Sequence, residues 1–336
     1  MTKTIMGIEI GNYRIKISVC SKGLVEKFVV ADLPDDLVQE GKIVSWEAMA
    51  DIIKEIVKEN NINCKNVAAV LPDGLTYIRR TTMPAMTIDQ LKINLPFEFH
   101  DYITEERDKY VYDYSVIDFV EDETGKPKEM DLLTVAVSKE TLEQYKTMFR
   151  RAGLKMVMAA PEIIGFRNLI YKYEDDNHID DVTDYAILDI GHTGTRLHMF
   201  TGGEYEITRN MEIGGQAITN AVAEIYSVDK HIAQVYKESN HENIWEKEEC
   251  KAIYNQLSVE IMRVINFYMF NNPDTSLDKI YYCGGGSMIT PLLEAIGATI
   301  EQEVVGLDEL FVLNSDEDRK DVLQGPASIG ITWEDK

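Results

Sequence analysis

No stretch of the chain approaches the roughly 20 consecutive apolar residues that a bilayer-spanning helix needs, so no transmembrane segment is predicted. The opening Met-Thr-Lys-Thr-Ile-Met runs into a strand-like pattern without the apolar core of a secretory signal, which predicts a cytoplasmic protein. Cysteine is scarce. Cys20, Cys64, Cys250 and Cys283 lie far apart and form no CxxC pair, which argues against disulfides or a metal site and predicts reduced thiols. Histidine offers little more: His100, His178, His198, His231 and His241 have no metal-ligand spacing. Positive charge is in short supply, with 34 Lys and Arg against 58 Asp and Glu and a formal net charge of −24. An acidic surface repels phosphate backbones, so nucleic acid is not an expected partner. The 45% hydrophobic content excludes wholesale disorder, and 336 residues suit two domains better than one.

What is present is a repeat. Gly7-Ile8-Glu9-Ile10-Gly11-Asn12-Tyr13-Arg14-Ile15-Lys16 is matched by Ile187-Leu188-Asp189-Ile190-Gly191-His192-Thr193-Gly194-Thr195-Arg196 at a constant offset of 180 positions. Acid falls on acid, Gly11 on Gly191, Lys16 on Arg196 and Gly23 on Gly203. Each copy reads as an apolar strand, a tight glycine turn and a second strand, which is a β-hairpin. An acidic residue at the strand end can hold hydrated Mg²⁺ through water. Glycine lets the backbone approach a phosphate, and the N–H groups of the turn can form an anion nest. One such hairpin is ordinary core structure. Two matched copies predict a pair of hairpins gripping one polyphosphate from both sides.

A third element supports that expectation. The strand Ile280-Tyr281-Tyr282-Cys283 runs into Gly284-Gly285-Gly286-Ser287 and then a helix from about Met288 to Ile296. Three glycines remove every side chain between the backbone and a flat ligand such as adenine, and the helix start adds N–H donors.

Around these motifs the chain alternates strand and helix patterns. Residues 1–30 read as strands, Trp46 to Lys58 has helical spacing, and Val67 to Leu71 is a buried strand stopped by Pro72-Asp73-Gly74. A different pattern, residues of about 80–160, predicts an inserted α/β subdomain: a helix capped by Thr87, strands over Tyr110–Val120 and Asp131–Ser138, and a helix from Thr141 to Arg151. Pro161 to Tyr173 reads as a helix and the acidic 174–184 stretch as a linker. Gly214-Gly215 opens another helix, His231 to Lys237 is a short one, and Ile244 to Asn271 reads as one long helix stopped by Pro273. The predicted domains are therefore 1–180, carrying the insertion, and 181–336.

In this order the hairpins, the Gly-Gly-Gly-Ser element, the Gly214-Gly215 helix start and the closing Gly325-Pro326-Ala327-Ser328-Ile329-Gly330 resemble the phosphate-1, phosphate-2, adenosine and connect-2 elements of the actin-like ATPase superfamily, with Pro161 to Tyr173 as connect-1. The resemblance covers nearly the whole chain. Within it, Leu71-Pro72-Asp73-Gly74, the run Arg79-Arg80-Thr81-Thr82-Met83-Pro84, Pro96-Phe97-Glu98-Phe99 and Ala159-Ala160-Pro161-Glu162 are similar to the PilM family of type IV pilus assembly proteins. The related FtsA proteins share the insertion but end in a basic amphipathic helix, for which Thr332-Trp333-Glu334-Asp335-Lys336 is unsuited.

The resemblance implies an α/β actin-like ATPase fold: two duplicated ribonuclease-H-like domains with an inserted α/β subdomain. It implies ATP or ADP with Mg²⁺ in the interdomain cleft. Gly11, Asn12, Tyr13 and Lys16 would serve the β-phosphate, Gly191, Thr193 and Gly194 the γ-side, and Asp189 the metal through water. Glu9 stands where the superfamily usually has Asp, and its longer side chain leaves hydrolysis open. His192 is either a water-positioning group or a plain turn residue. Gln234 and Lys237 resemble an adenosine contact, with Gly214 and Gly215 near the ribose and Gly284, Gly285, Gly286 and Ser287 beside the base. By the same resemblance, the N-terminal cytoplasmic peptide of a PilN-like membrane protein would dock in a groove between the first half-domain and the insertion; Phe97, Phe99, Tyr102, Tyr110, Tyr112 and Tyr114 either line that groove or, for about half of them, form the core of the insertion. The implied role is a nucleotide-binding scaffold held at the inner face of the membrane through its partners, with self-association left open. A small-molecule kinase of the same fold and an MreB-like or FtsA-like filament former are the alternatives.

Overall fold

A computed structural model of the chain describes residues 4–21, 23–39, 41–179, 183–313 and 319–333. The expectations for Met1–Lys3, for residues 180–182 of the linker and for the tail Glu334–Lys336 lie outside these residues. Two compact units divide the chain: Met1–Gly165 with Ala327–Lys336, and Phe166–Pro326.

Unit one is built on β1 (Ile5–Ile10), β2 (Arg14–Ser21), β3 (Leu24–Asp32), the small ladder β4 (Val38–Gln39) and β5 (Lys42–Ile43), α1 (Trp46–Glu59) and β6 (Asn66–Leu71). After an insertion come α3 (Lys139–Arg151) and β10 (Lys155–Pro161). The main sheet has the order β10-β6-β1-β2-β3. β1 and β2 pair antiparallel, while β6 lies parallel to β1 and to β10. Such central parallel strands are covered on both faces and read as apolar runs. Met6, Ile8, Met49, Ile53, Val67 and Phe149 meet in their core. β10 was not expected as a strand, because its burial is only partial along Lys155–Ala160 and gives no clean alternation.

The insertion is narrower than the sequence pattern suggests. It comprises β7 (Thr76–Pro84), α2 (Ile88–Asn94), β8 (Tyr110–Glu121) and β9 (Pro127–Ser138), in a separate sheet of order β7-β9-β8. Its own core joins Met83, Leu91, Leu95, Phe99, Met130 and Leu132. α2 starts with a full capping box, in which Thr87 Oγ1 accepts from Gln90 N and Gln90 Oε1 accepts from Thr87 N. α3 belongs instead to the main body: Tyr145, Met148 and Phe149 join the core of α1, with the Tyr145 ring 5.2 Å from Trp46.

Unit two repeats the architecture. Its strands are β11 (Tyr185–Ile190), β12 (Thr195–Thr201), β13 (Glu204–Met211), β14 (Lys279–Cys283) and β15 (Glu303–Gly306), in the order β13-β12-β11-β14-β15. Read from the other edge this is the order of unit one, with the same antiparallel hairpin and the same two parallel neighbours. The duplication in sequence is thus a duplication of topology. Its helices are α4 (Glu162–Asn177), which begins at the end of unit one, then α5 (Gly215–Tyr226), α6 (Lys230–Glu238), α7 (Glu248–Asn271) and α8 (Thr290–Gly297). α7 begins later than the sequence pattern suggests. Residues His241–Glu246 form a 3-10 turn in which Glu242 and Asn243 are left-handed. Trp245 N donates to Asn240 Oδ1 there, so a side chain replaces a helical partner.

The units divide at 165/166 rather than at 180/181 because α4 is tied to unit two from Phe166 onward. The Phe166 ring lies 5.2 Å from His198, and Arg167 holds Glu204 through two bonds of 2.8 Å. The closing helix Ala327–Gly330 returns to unit one, where Ser18 Oγ donates to Ser328 O at 2.5 Å. A Cβ on Gly7 would sit 1.7 Å from that carbonyl, so only glycine allows this approach. No helix among the described residues is long and apolar enough to cross a membrane.

Candidate functional site

Each hairpin carries its acid directly opposite its cation. Glu9 faces Lys16 across the β1–β2 ladder, and Lys16 Nζ donates to Glu9 Oε1 at 2.5 Å with both side chains largely buried. Asp189 faces Arg196 across β11–β12, and Arg196 Nη2 donates to Asp189 Oδ2 at 2.5 Å. The glycine turns close alike as well. Gly11 N donates to Arg14 O at 2.9 Å and Gly191 N to Gly194 O at 3.0 Å. These two N–H groups therefore lock the turns rather than line an anion nest. In unit one the turn is braced further, since Asn12 Oδ1 accepts from Gly41 N at 2.8 Å and Tyr13 O from Leu33 N at 2.9 Å.

In unit two the predicted residues converge on the carboxyl end of β11, the end at which open α/β sheets bind ligands. The turn His192–Gly194 is seated on the start of α5: Gly215 N donates to Gly191 O at 2.9 Å and Gln216 N to His192 O at 2.7 Å. A Cβ on Gly214 would lie 2.5 Å from Gly194 N, which fixes glycine there. The first N–H groups of α5 are thus spent on the hairpin. α6 closes against the same place. Lys237, only 7% exposed, donates from Nζ to Gly215 O at 3.1 Å and to Thr219 Oγ1 at 2.8 Å. Gln234 accepts from Thr219 Oγ1 at 2.7 Å and donates to Glu238 at 2.7 Å. Gln234 and Lys237 are in the expected neighbourhood, but their bonds brace α5 against α6. Thr219 is the centre of this network and was missed from sequence. Its one signal is a hydroxyl four residues after Gly215, on the buried face of α5.

The three glycines after β14 have different surroundings. Gly284 has φ +86°, and a Cβ there would fall 2.3 Å from Asp189 Oδ1. A Cβ on Gly286 would fall 2.2 Å from Ile190 Cγ2. Both are glycine because the turn packs on β11. Gly285 alone has nothing within 4 Å of an added Cβ. The segment Gly285–Met288 is a 3-10 turn, closed by Ser287 Oγ donating to Gly284 O at 2.6 Å, and α8 follows it. Among the described residues no group of three or more His, Cys, Asp or Glu is placed to hold a metal unaided.

The aromatic side chains of the insertion also separate. Phe99 is fully buried, and Tyr110, Tyr112 and Tyr114 are packed against the insertion core. Burial pushes the Tyr110 and Tyr112 hydroxyls above their ordinary pKa. Phe97 and Tyr102 are displayed, 54% and 53% exposed, each under a guanidinium: Arg107 lies 4.0 Å from the Phe97 ring centre and Arg79 4.3 Å from that of Tyr102. Ile88 and Ile93 of α2 are exposed beside them in sequence.

A family model for the type IV pilus assembly protein PilM matches residues 7–327. Among solved structures, a PilM-PilN type IV pilus biogenesis complex is similar with a TM-score of 0.81 at 20% identity, covering 98% of this chain and 97% of that one. The ethanolamine utilization protein EutJ from Carboxydothermus hydrogenoformans is similar at a TM-score of 0.60 and 15% identity, covering 99% of this chain and 90% of that one. MreB 5 of Spiroplasma citri bound to AMPPNP follows at a TM-score of 0.54 and 11% identity, covering 97% and 95%. At these identities the structural likenesses establish an actin-like ATPase fold, and the family rests on the match along most of the chain. The chain belongs to the PilM family of type IV pilus assembly proteins.

Proposed function

We propose that this PilM-family scaffold binds a magnesium-complexed adenine nucleotide and docks the N-terminal peptide of a PilN-like membrane protein. The observation that carries the nucleotide reading is the surround of Asp189: the hairpin turn is seated on the start of α5, buried Lys237 bonds to that helix start, and Gly284, next to the open Gly285, packs on Asp189. Related support comes from MreB 5 of Spiroplasma citri, solved with AMPPNP.

The residues fit the implied metal in one respect. Asp189 keeps a 10% exposed carboxylate, with Oδ2 on Arg196 and Oδ1 beside the bare backbone of Gly284. Asp189 would hold Mg²⁺ through its water shell, which suits an ion that dehydrates reluctantly, and the ion would offset phosphate charge. Glu9 makes the matching offer in unit one. Lys16 would trade its bond to Glu9 for a phosphate oxygen, a charge-assisted bond of comparable kind. Lys237 and Thr219 would position α5 rather than touch the ligand.

For the partner, the displayed pair Phe97 and Tyr102 supports a docking surface on the insertion, with Phe99 excluded as core. Peptide docking would hold the chain at the inner face of the membrane. A scaffold needs nucleotide only to favour one conformational state, so turnover is not required of Glu9. The test is equilibrium binding of ATP and ADP to the purified chain, with and without Mg²⁺. Saturable binding strengthened by Mg²⁺ is expected, and its absence for both nucleotides overturns the reading.

A further inference from the structure

The facing sides of α5 and α6 hold a small polar network centred on the buried hydroxyl of Thr219. Thr219 Oγ1 donates to Gln234 Oε1 at 2.7 Å and accepts from Lys237 Nζ at 2.8 Å. The other end of the Gln234 amide donates to Glu238 Oε1 at 2.7 Å, an i,i+4 bond along α6. That carboxylate can only accept, so it fixes which end of the amide carries the N–H groups. Lys237 Nζ also reaches Gly215 O at 3.1 Å. Gln234 is only 8% exposed.

The donors around this network are engaged as well. Gly215 N and Gln216 N bond to the hairpin turn, and Ala217 N closes on Gly214 O at 3.0 Å. Ser287 gives its one hydroxyl proton to Gly284 O. The side chains of unit two expected around a nucleoside, Gln234, Lys237 and Ser287, are thus each bonded to the protein itself.

A ribose hydroxyl could draw Gln234 out only at a loss. The amide would give up one bond to a hydroxyl and one to a carboxylate, and would regain one to the sugar. Water already satisfies that sugar hydroxyl in the free nucleotide. A flat base lying on bare peptide breaks no such bond, and Gly285 leaves room for one, with nothing within 4 Å of an added Cβ. We propose that Thr219 sets the nucleoside specificity of the site: by holding Gln234 and Lys237 against α5 it leaves the ribose hydroxyls unread, so that deoxynucleotides bind as well as ribonucleotides. Thr219 is a positioning residue, acting through Gln234 and Lys237 rather than on the ligand. The inference rests on the nucleotide reading above and names which nucleotides that site takes.

The test is calorimetric titration of the full chain with ATP, 2′-deoxy-ATP and 3′-deoxy-ATP, each with Mg²⁺. The three dissociation constants are expected to agree within about threefold. A wider gap overturns the proposal and leaves the nucleotide reading standing, whereas failure of all three to bind overturns both. Gln234→Ala is expected to change the three affinities in parallel, and a variant in which ATP alone weakens overturns the proposal. Thr219→Val keeps the shape but strips the buried Gln234 oxygen of its donor, which a ribose hydroxyl can then replace. It is expected to open a preference for ATP over at least one deoxynucleotide of more than about threefold, while Thr219→Ser, which keeps the hydroxyl, shows none. Equal affinities in Thr219→Val overturn the role given to Thr219.

Discussion

Arg196 donates to Asp189 at 2.5 Å straight across the hairpin of unit two, and neither residue is placed by chance, since Lys16 and Glu9 repeat the arrangement in unit one. The acids expected to serve a metal are therefore already paired with the cations expected near phosphate. Such part-buried pairs cost more to break on one side than to replace whole. A double-mutant cycle on Asp189→Asn and Arg196→Met is expected to give a coupling energy of about 1–3 kcal/mol in urea unfolding. Additivity within about 0.5 kcal/mol would mean the pair is a surface contact only.

The glycine turn after β14 makes a graded prediction. Gly284→Ala forces a left-handed alanine into Asp189 and is expected to cost more than about 2 kcal/mol of stability. Gly285→Ala meets nothing and is expected to stay within about 1 kcal/mol of the parent chain. Urea midpoints of the two variants decide the order, and equal costs would refute the packing described for Gly284.

Alkaline pH should weaken the fold through its thiols. Burial pushes Cys20 and Cys250 from 9.0 up to about 11. Each raised group holds its proton more tightly folded than unfolded, so its contribution is complete below pH 9.0 and is lost as pH climbs toward about 11. Buried Tyr281, raised from 10.0 to about 12, adds to the loss only at higher pH. Unfolding free energy measured between these onsets is expected to fall with pH, and less steeply in a Cys20→Ala, Cys250→Ala chain. An equal slope in both would remove the thiols as the cause.

The insertion separates recognition from folding. Phe97→Asp and Tyr102→Asp are expected to lower affinity for the N-terminal peptide of a PilN-like partner at least about tenfold, with unfolding midpoints little changed. Phe99→Ala is expected to cost about 3–5 kcal/mol of stability, because the ring fills the insertion core. Peptide binding that survives both exposed substitutions would move the docking surface elsewhere.

Much of this was legible in the residues. The 180-position offset announced both hairpins, because an acid, a turn glycine and a cation recur at fixed spacing and the ladder places them opposite one another. Thr87 and Gln90 announced the start of α2 through local hydrogen bonding alone. Long-range packing was not legible. Nothing local to Gly7 tells that Ser328 rests on it, so the closing helix was assigned to the wrong unit. Three consecutive glycines look equivalent in sequence, yet β11 dictates two of them and leaves Gly285 open. Nor does the sequence around Gln234 and Lys237 tell that both bond to the hydroxyl of Thr219 in the α5–α6 contact.

Gly285 offers the most direct test of nucleotide binding by unit two. Gly285→Val adds bulk where nothing in the chain is displaced, so its folding is expected to match the parent. Titration of Mg²⁺ and ATP by calorimetry is expected to show binding to the parent and at least about a tenfold loss in Gly285→Val and in Asp189→Ala. Full affinity in both variants, with folding intact, would contradict a nucleotide held at the end of β11.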